Sequence, residues 1–178
     1  MIWWKKSPSK PLDPGEIDAL WREAFGHHQA GHIDQAAKLY RSVLQHAPHH
    51  FDARHLLGVT ALQQGRLDDA QREIGAAIEI NPRDAAAHNN MGTVWLRRGH
   101  LEHARESFEA ALKLRPGDAD ANANLGAVLV QLGDAARAVP MLRKAIAQRA
   151  SPELRNQLAA ALLASGDAAS ATRELRVL

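Results

Sequence analysis

The sequence predicts an all-α solenoid of about five stacked helix–turn–helix units, and two observations carry that expectation. Gly31, Gly65, Gly99 and Gly133 recur at one constant interval, and Gly166 continues the series a single position early. A fixed period shared by several independent columns marks a repeat array. Apolar residues make up 46% of the chain but aromatic residues only 4%. The core is therefore built from Ala, Leu, Val and Ile, which suits helices that approach closely.

Residues 1–15 are expected to be a flexible tail, because Pro8, Pro11, Pro14 and Gly15 break any helix. Its Trp3-Trp4-Lys5-Lys6 cluster suits either packing on the array or a neighbour, or interfacial contact with a membrane surface. The array is expected over residues 16–178, with units near 17–50, 51–84, 85–118, 119–151 and 152–178. Three further columns support the division. Ala36, Ala70, Ala104, Ala138 and Ala171 each follow a turn glycine at the same short distance. Tyr40, Ile74, Phe108, Leu142 and Leu175 come one helical turn later, and Ala24, Gly58, Gly92, Gly126 and Ala159 precede the glycines by two turns. Pro48, Pro82 and Pro116 close the first three units.

Each unit reads as two helices. In the third, Ala85–Arg98 and Leu101–Leu114 have helical apolar spacing, and Gly99 permits the turn between them. Gly92 and Ala104 fall where the helices cross, with Trp95 and Phe108 filling the wedges beside them. The first unit departs at Glu23-Ala24 and Gly26. The fourth carries Pro140 inside its second helix, which predicts a kink or a delayed start. The fifth ends in Leu175, Val177 and Leu178, an apolar edge that calls for a partner or a second copy.

The third unit, Asn90-Met91-Gly92-Thr93-Val94-Trp95 followed by Gly99, Ala104, Phe108 and Pro116, resembles the tetratricopeptide repeat. The second unit, with Leu56-Leu57-Gly58, Ala61, Gly65, Ala70, Ile74 and Pro82, resembles it nearly as well. The resemblance implies a right-handed superhelix in which the first helix of each unit lines a concave groove. Helical spacing then gives the groove positions. The first unit supplies Asp18, Trp21, Arg22, Phe25 and Gln29, and the second Asp52, His55, Leu56, Val59 and Gln63. The third supplies Asn89, Asn90, Thr93 and Arg97. The fourth supplies Asp120, Ala123, Asn124, Ala127 and Gln131, and the fifth Asn156, Gln157 and Ala160.

Asn90 and Asn124 share a column, and Gln157 follows at the equivalent place. An amide both donates and accepts, so such a ladder can grip the main chain of an extended peptide, and it looks like the asparagine ladder of O-linked GlcNAc transferases. The same amides can instead bridge adjacent helices within the array. At the entrance, Trp21, Phe25 and Val59 are expected to form an apolar pocket rimmed by Arg22 and His55. No groove position is a lysine, which disfavours recognition of an acidic chain terminus. Arg97 and Arg98 precede Gly99, where cations favour a helix C-terminus.

Other functions find little support. The formal charge is +2 without a run of one sign, so no nucleic-acid partner is expected. There is no cysteine, which excludes disulfides and thiolate chemistry. Ten histidines form small clusters, but none has the carboxylates of a ligand set, and no metal site or cofactor is expected. No serine sits in a nucleophile motif and no phosphate loop follows a strand, so no enzyme is expected. No stretch is long and apolar enough to span a membrane, and the start lacks a secretory signal. A cytoplasmic adaptor that binds a protein or peptide is the leading expectation. The alternatives are a structural subunit that forms a homo-oligomer or sits in a larger complex, and the recruiting arm of a separate enzyme such as a protein glycosyltransferase.

Overall fold

The computed structural model describes residues 12–176, so Trp3, Trp4, Val177 and Leu178 lie outside the described residues. Among the described residues, ten α-helices run in five antiparallel pairs. They are α1 (Pro14–Gln29) with α2 (Ile33–His46), α3 (Phe51–Gln63) with α4 (Leu67–Ile80), and α5 (Ala85–Arg97) with α6 (Leu101–Leu114). Then come α7 (Ala119–Gln131) with α8 (Ala135–Gln148), and α9 (Pro152–Ala164) with α10 (Ala168–Leu175).

Local chemistry sets the helix boundaries. The side chains of Asp13, Asp84, Asp118 and Ser151 each accept a hydrogen bond from a backbone N–H in the first turn of α1, α5, α7 and α9. This satisfies donors that a helix start leaves unpaired. In α1, Glu16 completes a capping box with Asp13, so the helix begins at Pro14, inside the stretch expected as tail. Within each pair the turn passes through a glycine in the left-handed region, Gly99 having φ 78°, where a Cβ would be strained.

Pairing depends on one close approach per unit. A Cβ on Gly92 would stand 2.5 Å from the Phe108 ring, and one on Gly126 would stand 2.6 Å from Leu142 Cγ. On Gly58 it would meet Ile74 Cγ1 at 2.6 Å and the Ile74 backbone nitrogen at 3.0 Å. The glycines let the axes come together so that Ile74, Phe108 and Leu142 are wholly buried. Burying each such side chain contributes about 1.5–3 kcal/mol. In the first unit Ala24 stands in this column and Tyr40 fills the wedge, with burial raising its phenol pKa to about 12.

One expectation is corrected: Pro140 does not delay α8, which starts at Ala135 and continues through it. The N–H missing at residue 140 would have bonded Ala136, which is exposed, so water can satisfy the freed carbonyl. Leu175, the fifth member of the wedge column, is 46% exposed and Leu163 is 55% exposed, because no further helix covers them among the described residues.

Each helix contacts its partner and its sequential neighbour, and the odd-numbered helices also touch across units, α3 with α5, α5 with α7 and α7 with α9. Among the described residues the even-numbered helices make no comparable contact with one another. The odd helices therefore form the inner layer of a curved stack. No helix among the described residues is long and apolar enough to cross a membrane.

Candidate functional site

The inner layer presents a row of half-buried polar side chains on α3, α5 and α7. Asn90 on α5 stands 2.9 Å from His55 Nε2 on α3, and the Asn124 amide nitrogen on α7 donates to Asn89 Oδ1 on α5 at 3.2 Å. Each bond steps from one unit to the one before it. The asparagines therefore bridge units, and they do not form a ladder free of internal bonds. Each bridge leaves capacity unused: Asn89 Nδ2, Asn90 Oδ1 and Asn124 Oδ1 have no protein partner among the described residues. Gln157 and Gln131 are exposed and belong to neither bridge. Thr93 turns its hydroxyl back to donate to the Asn89 carbonyl at 3.1 Å.

His55 departs from its expected place on a pocket rim. It is only 9% exposed, with the Phe51 ring 5.6 Å away. Burial holds its pKa below the usual histidine value, although Asp84 and Asp52 pull the other way. A neutral ring can accept at Nε2 from the Asn90 amide, whereas an imidazolium cannot.

At the entrance, Trp21 stacks on Phe25 with ring centroids 5.4 Å apart, and the His50 ring lies 6.2 Å from Trp21. The Trp21 indole N–H is buried without an acceptor among the described residues. Arg22 is exposed and pairs with Asp18 one turn earlier. Val59 is half-buried on α3. Trp21 also packs against the cluster of Ala24, Tyr40 and their neighbours, so it is part of the first unit's core as well as its surface. Arg97 donates to the Leu62 carbonyl near the end of α3, and Arg98 pairs with Asp68. Both cations thus tie units together near a helix C-terminus.

The histidines serve local packing. His50 Nδ1 accepts from Ala53 N at the start of α3, and His28 lies 3.3 Å from the Tyr40 hydroxyl. His100 and His103 contact Trp95. Among the described residues no group of three or more His, Cys, Asp or Glu is placed to hold a metal ion.

One column escaped the sequence reading. Arg54, His88 and Asn122 recur at the interval of the turn glycines, and each bonds the carbonyl of the proline that closes the preceding unit. Arg54 donates to Pro48 O at 2.7 Å, His88 Nε2 lies 2.9 Å from Pro82 O, and the Asn122 amide donates to Pro116 O at 3.1 Å. Arg54 also pairs with Glu73 at 3.0 Å, as Arg155 does with Glu174 at 3.0 Å. The same spacing that revealed the glycines was a signal for this column, but its members share hydrogen-bonding capacity and not size.

Comparison with known proteins fits this architecture. Profiles of the tetratricopeptide repeat match residues 27–91, 91–153 and 152–176. No curated protein matches the sequence. Among solved structures, MamA from Desulfovibrio magneticus RS-1 superposes with a TM-score of 0.82 at 15% identity, covering 94% of both chains. The Pseudomonas aeruginosa pilF protein gives 0.76 at 23% identity over 90% of this chain and 75% of its own. YrrB, described as having an unusual peptide-binding site, gives 0.75 at 14% identity over 88% of this chain and 81% of its own. Likeness at such identities speaks to fold alone.

Proposed function

The chain belongs to the tetratricopeptide-repeat proteins, and from that premise we propose that it is a binding adaptor whose inner surface holds an extended peptide or a segment of a partner protein. The observation that carries this reading is the unused capacity of the amide bridges. Asn89, Asn90 and Asn124 are held in place by unit-to-unit hydrogen bonds, yet Asn89 Nδ2, Asn90 Oδ1 and Asn124 Oδ1 have no protein partner among the described residues. Amides fixed in this way match a main chain without reading its side chains. YrrB, a protein of similar fold, is described as having a peptide-binding site, which supports peptide binding as a use for this fold. Such an adaptor works by holding its partner and performs no chemistry itself.

A photo-crosslinking amino acid placed at Thr93 tests the proposal. Crosslinks to a partner from Thr93, and none from Glu106 on α6, are the expected result; the reverse pattern would remove the inner surface from consideration. A second reading rests on exposed Leu163 and Leu175, which would let the C-terminal edge pair with a second copy. Sedimentation of the wild type and of Leu163→Ser decides that reading, and a concentration-independent monomer in both ends it.

A further inference from the structure

The outer surface carries clefts between successive even-numbered helices, and two of them are equivalent by the repeat. The first lies between α2, α3 and α4, has a volume of about 300 Å³ and is lined by Leu44, Gln45, Arg54, Leu57 and Glu73 among others. The second lies between α6, α7 and α8 and has a volume of about 370 Å³. It places Leu112, Lys113, Asn122, Leu125 and Met141 at the same five positions, each two repeats further on. The two leucines are kept, Gln45 becomes Lys113, the charged Arg54 and Glu73 become Asn122 and Met141, and Arg41 becomes Glu109.

In the first cleft the Arg54–Glu73 ion pair runs across the mouth at 3.0 Å, and the fifth unit keeps the same strut in Arg155–Glu174. In the fourth unit both members are gone. Met141 replaces the carboxylate, and Leu112, Leu125 and Met141 leave an apolar floor. Asn122 replaces the guanidinium and is only 1% exposed. Its amide nitrogen bonds the Pro116 and Asp118 carbonyls, but its Oδ1 is buried without a donor among the described residues. A buried acceptor left in this state is a deficit, which native structures generally avoid.

The rim carries mostly positive charge. Lys113 and Lys144 line the cleft, and neither takes part in an ion pair among the described residues. Glu109, the carboxylate on this rim, is already shared by Arg105 and Arg137. An apolar floor with unpaired cations above it is complementary to an apolar side chain flanked by carboxylates.

We propose that the outer cleft between α6, α7 and α8 is a second docking site, which takes an acidic peptide segment carrying one apolar anchor residue. It is separate from the inner surface, where no lysine among the described residues faces the groove.

Fluorescence anisotropy with labelled short peptides tests this. Each peptide has one central Leu, Met or Phe flanked by aspartates, and a control peptide has Ser in place of the anchor. At least one anchored peptide should bind wild type saturably, weaken as salt rises, and exceed the Ser control by about tenfold or more. Asn122→Arg/Met141→Glu restores the strut of the sister units and should weaken binding about tenfold. Lys113→Glu/Lys144→Glu alters only exposed side chains and should weaken it similarly, which keeps the test decisive if the strut variant fails to fold. Asn90→Ala/Asn124→Ala should leave this binding unchanged, whatever it does to a partner on the inner face. The proposal is overturned if no anchored peptide binds saturably, if binding survives both outer variants, or if only the inner variant loses it. A concentration-dependent dimer abolished by Lys113→Glu/Lys144→Glu would assign the cleft to a second copy and also overturn it.

Discussion

Unit two and unit four occupy equivalent places in the stack and treat their outer surfaces in opposite ways. In unit two, Arg54 reaches forward to Glu73 and back to the Pro48 carbonyl. In unit four, Asn122 keeps the backward link to Pro116 and gives up the forward one, facing Met141 instead. What both retain is the tie to the proline carbonyl, so that tie belongs to stacking. What differs is the strut, so the strut is free to vary, and the cleft without it is the larger of the two, about 370 Å³ against about 300 Å³. The inner faces differ as well, since unit two carries buried His55 where unit four carries Ala123.

The comparison is most severely tested at the helix crossings. A methyl at Gly58 meets the backbone of Ile74, whereas one at Gly126 meets only the Leu142 side chain. Gly58→Ala is expected to cost about 2–3 kcal/mol through overpacking that only a helix shift can relieve. Gly126→Ala is expected to cost about 1 kcal/mol, because the leucine can rotate and Ala is the better helix former. Denaturant unfolding measures both, and equal losses would mean that the two crossings tolerate volume alike.

Removing the strut comes next. Glu73→Ala leaves the Arg54 guanidinium, 23% exposed, beside an empty site and should destabilise by about 1–2 kcal/mol. Grafting the strut with Asn122→Arg/Met141→Glu should change stability by less than about 1 kcal/mol, since the new pair must recover its own desolvation. A large gain from the graft would show that unit four had given up stability for its open cleft.

The smallest effect concerns pH. The pKa of His55 in the folded chain lies below the ordinary histidine value of 6.5, so the unfolded chain takes up the proton more readily. Its contribution is therefore intact at neutral pH and is lost as pH falls below 6.5 toward the folded value. Burial likewise lowers His28, opposed by Gln63. His55→Gln should flatten the acid-side fall in stability measured by denaturant titration, and a fall of unchanged steepness would shift the responsibility to His28.

The fold was legible because its determinants are sizes at fixed intervals. A glycine or alanine returning once in every repeat reports close packing directly, and packing is what holds such an array together. The hydrogen bonds were less legible. Asn90 and Asn124 share a column of the sequence, but their partners are a histidine and an asparagine in the preceding unit, one position out of register with the repeat. No identity column reveals such a spacing. Arg54, His88 and Asn122 perform one task with three chemistries, so matching by residue type passes over them. His55 was assigned to a rim because its helical phase points inward; the Phe51 ring and the neighbouring unit then bury it. Pro140 looked disruptive because sequence alone does not tell which side of α8 meets solvent.

The neighbour-only contacts of the helices also decide how the molecule responds to being stretched. Among the described residues no tie joins distant units, so tension applied to the two ends has nothing to overcome all at once. The end pair detaches first and exposes the next, and each unit can extend to about 110–120 Å. Such a chain behaves as a spring that yields in steps, and a load on one terminus can dismantle the outermost pair while the amide-bridged middle keeps its hold.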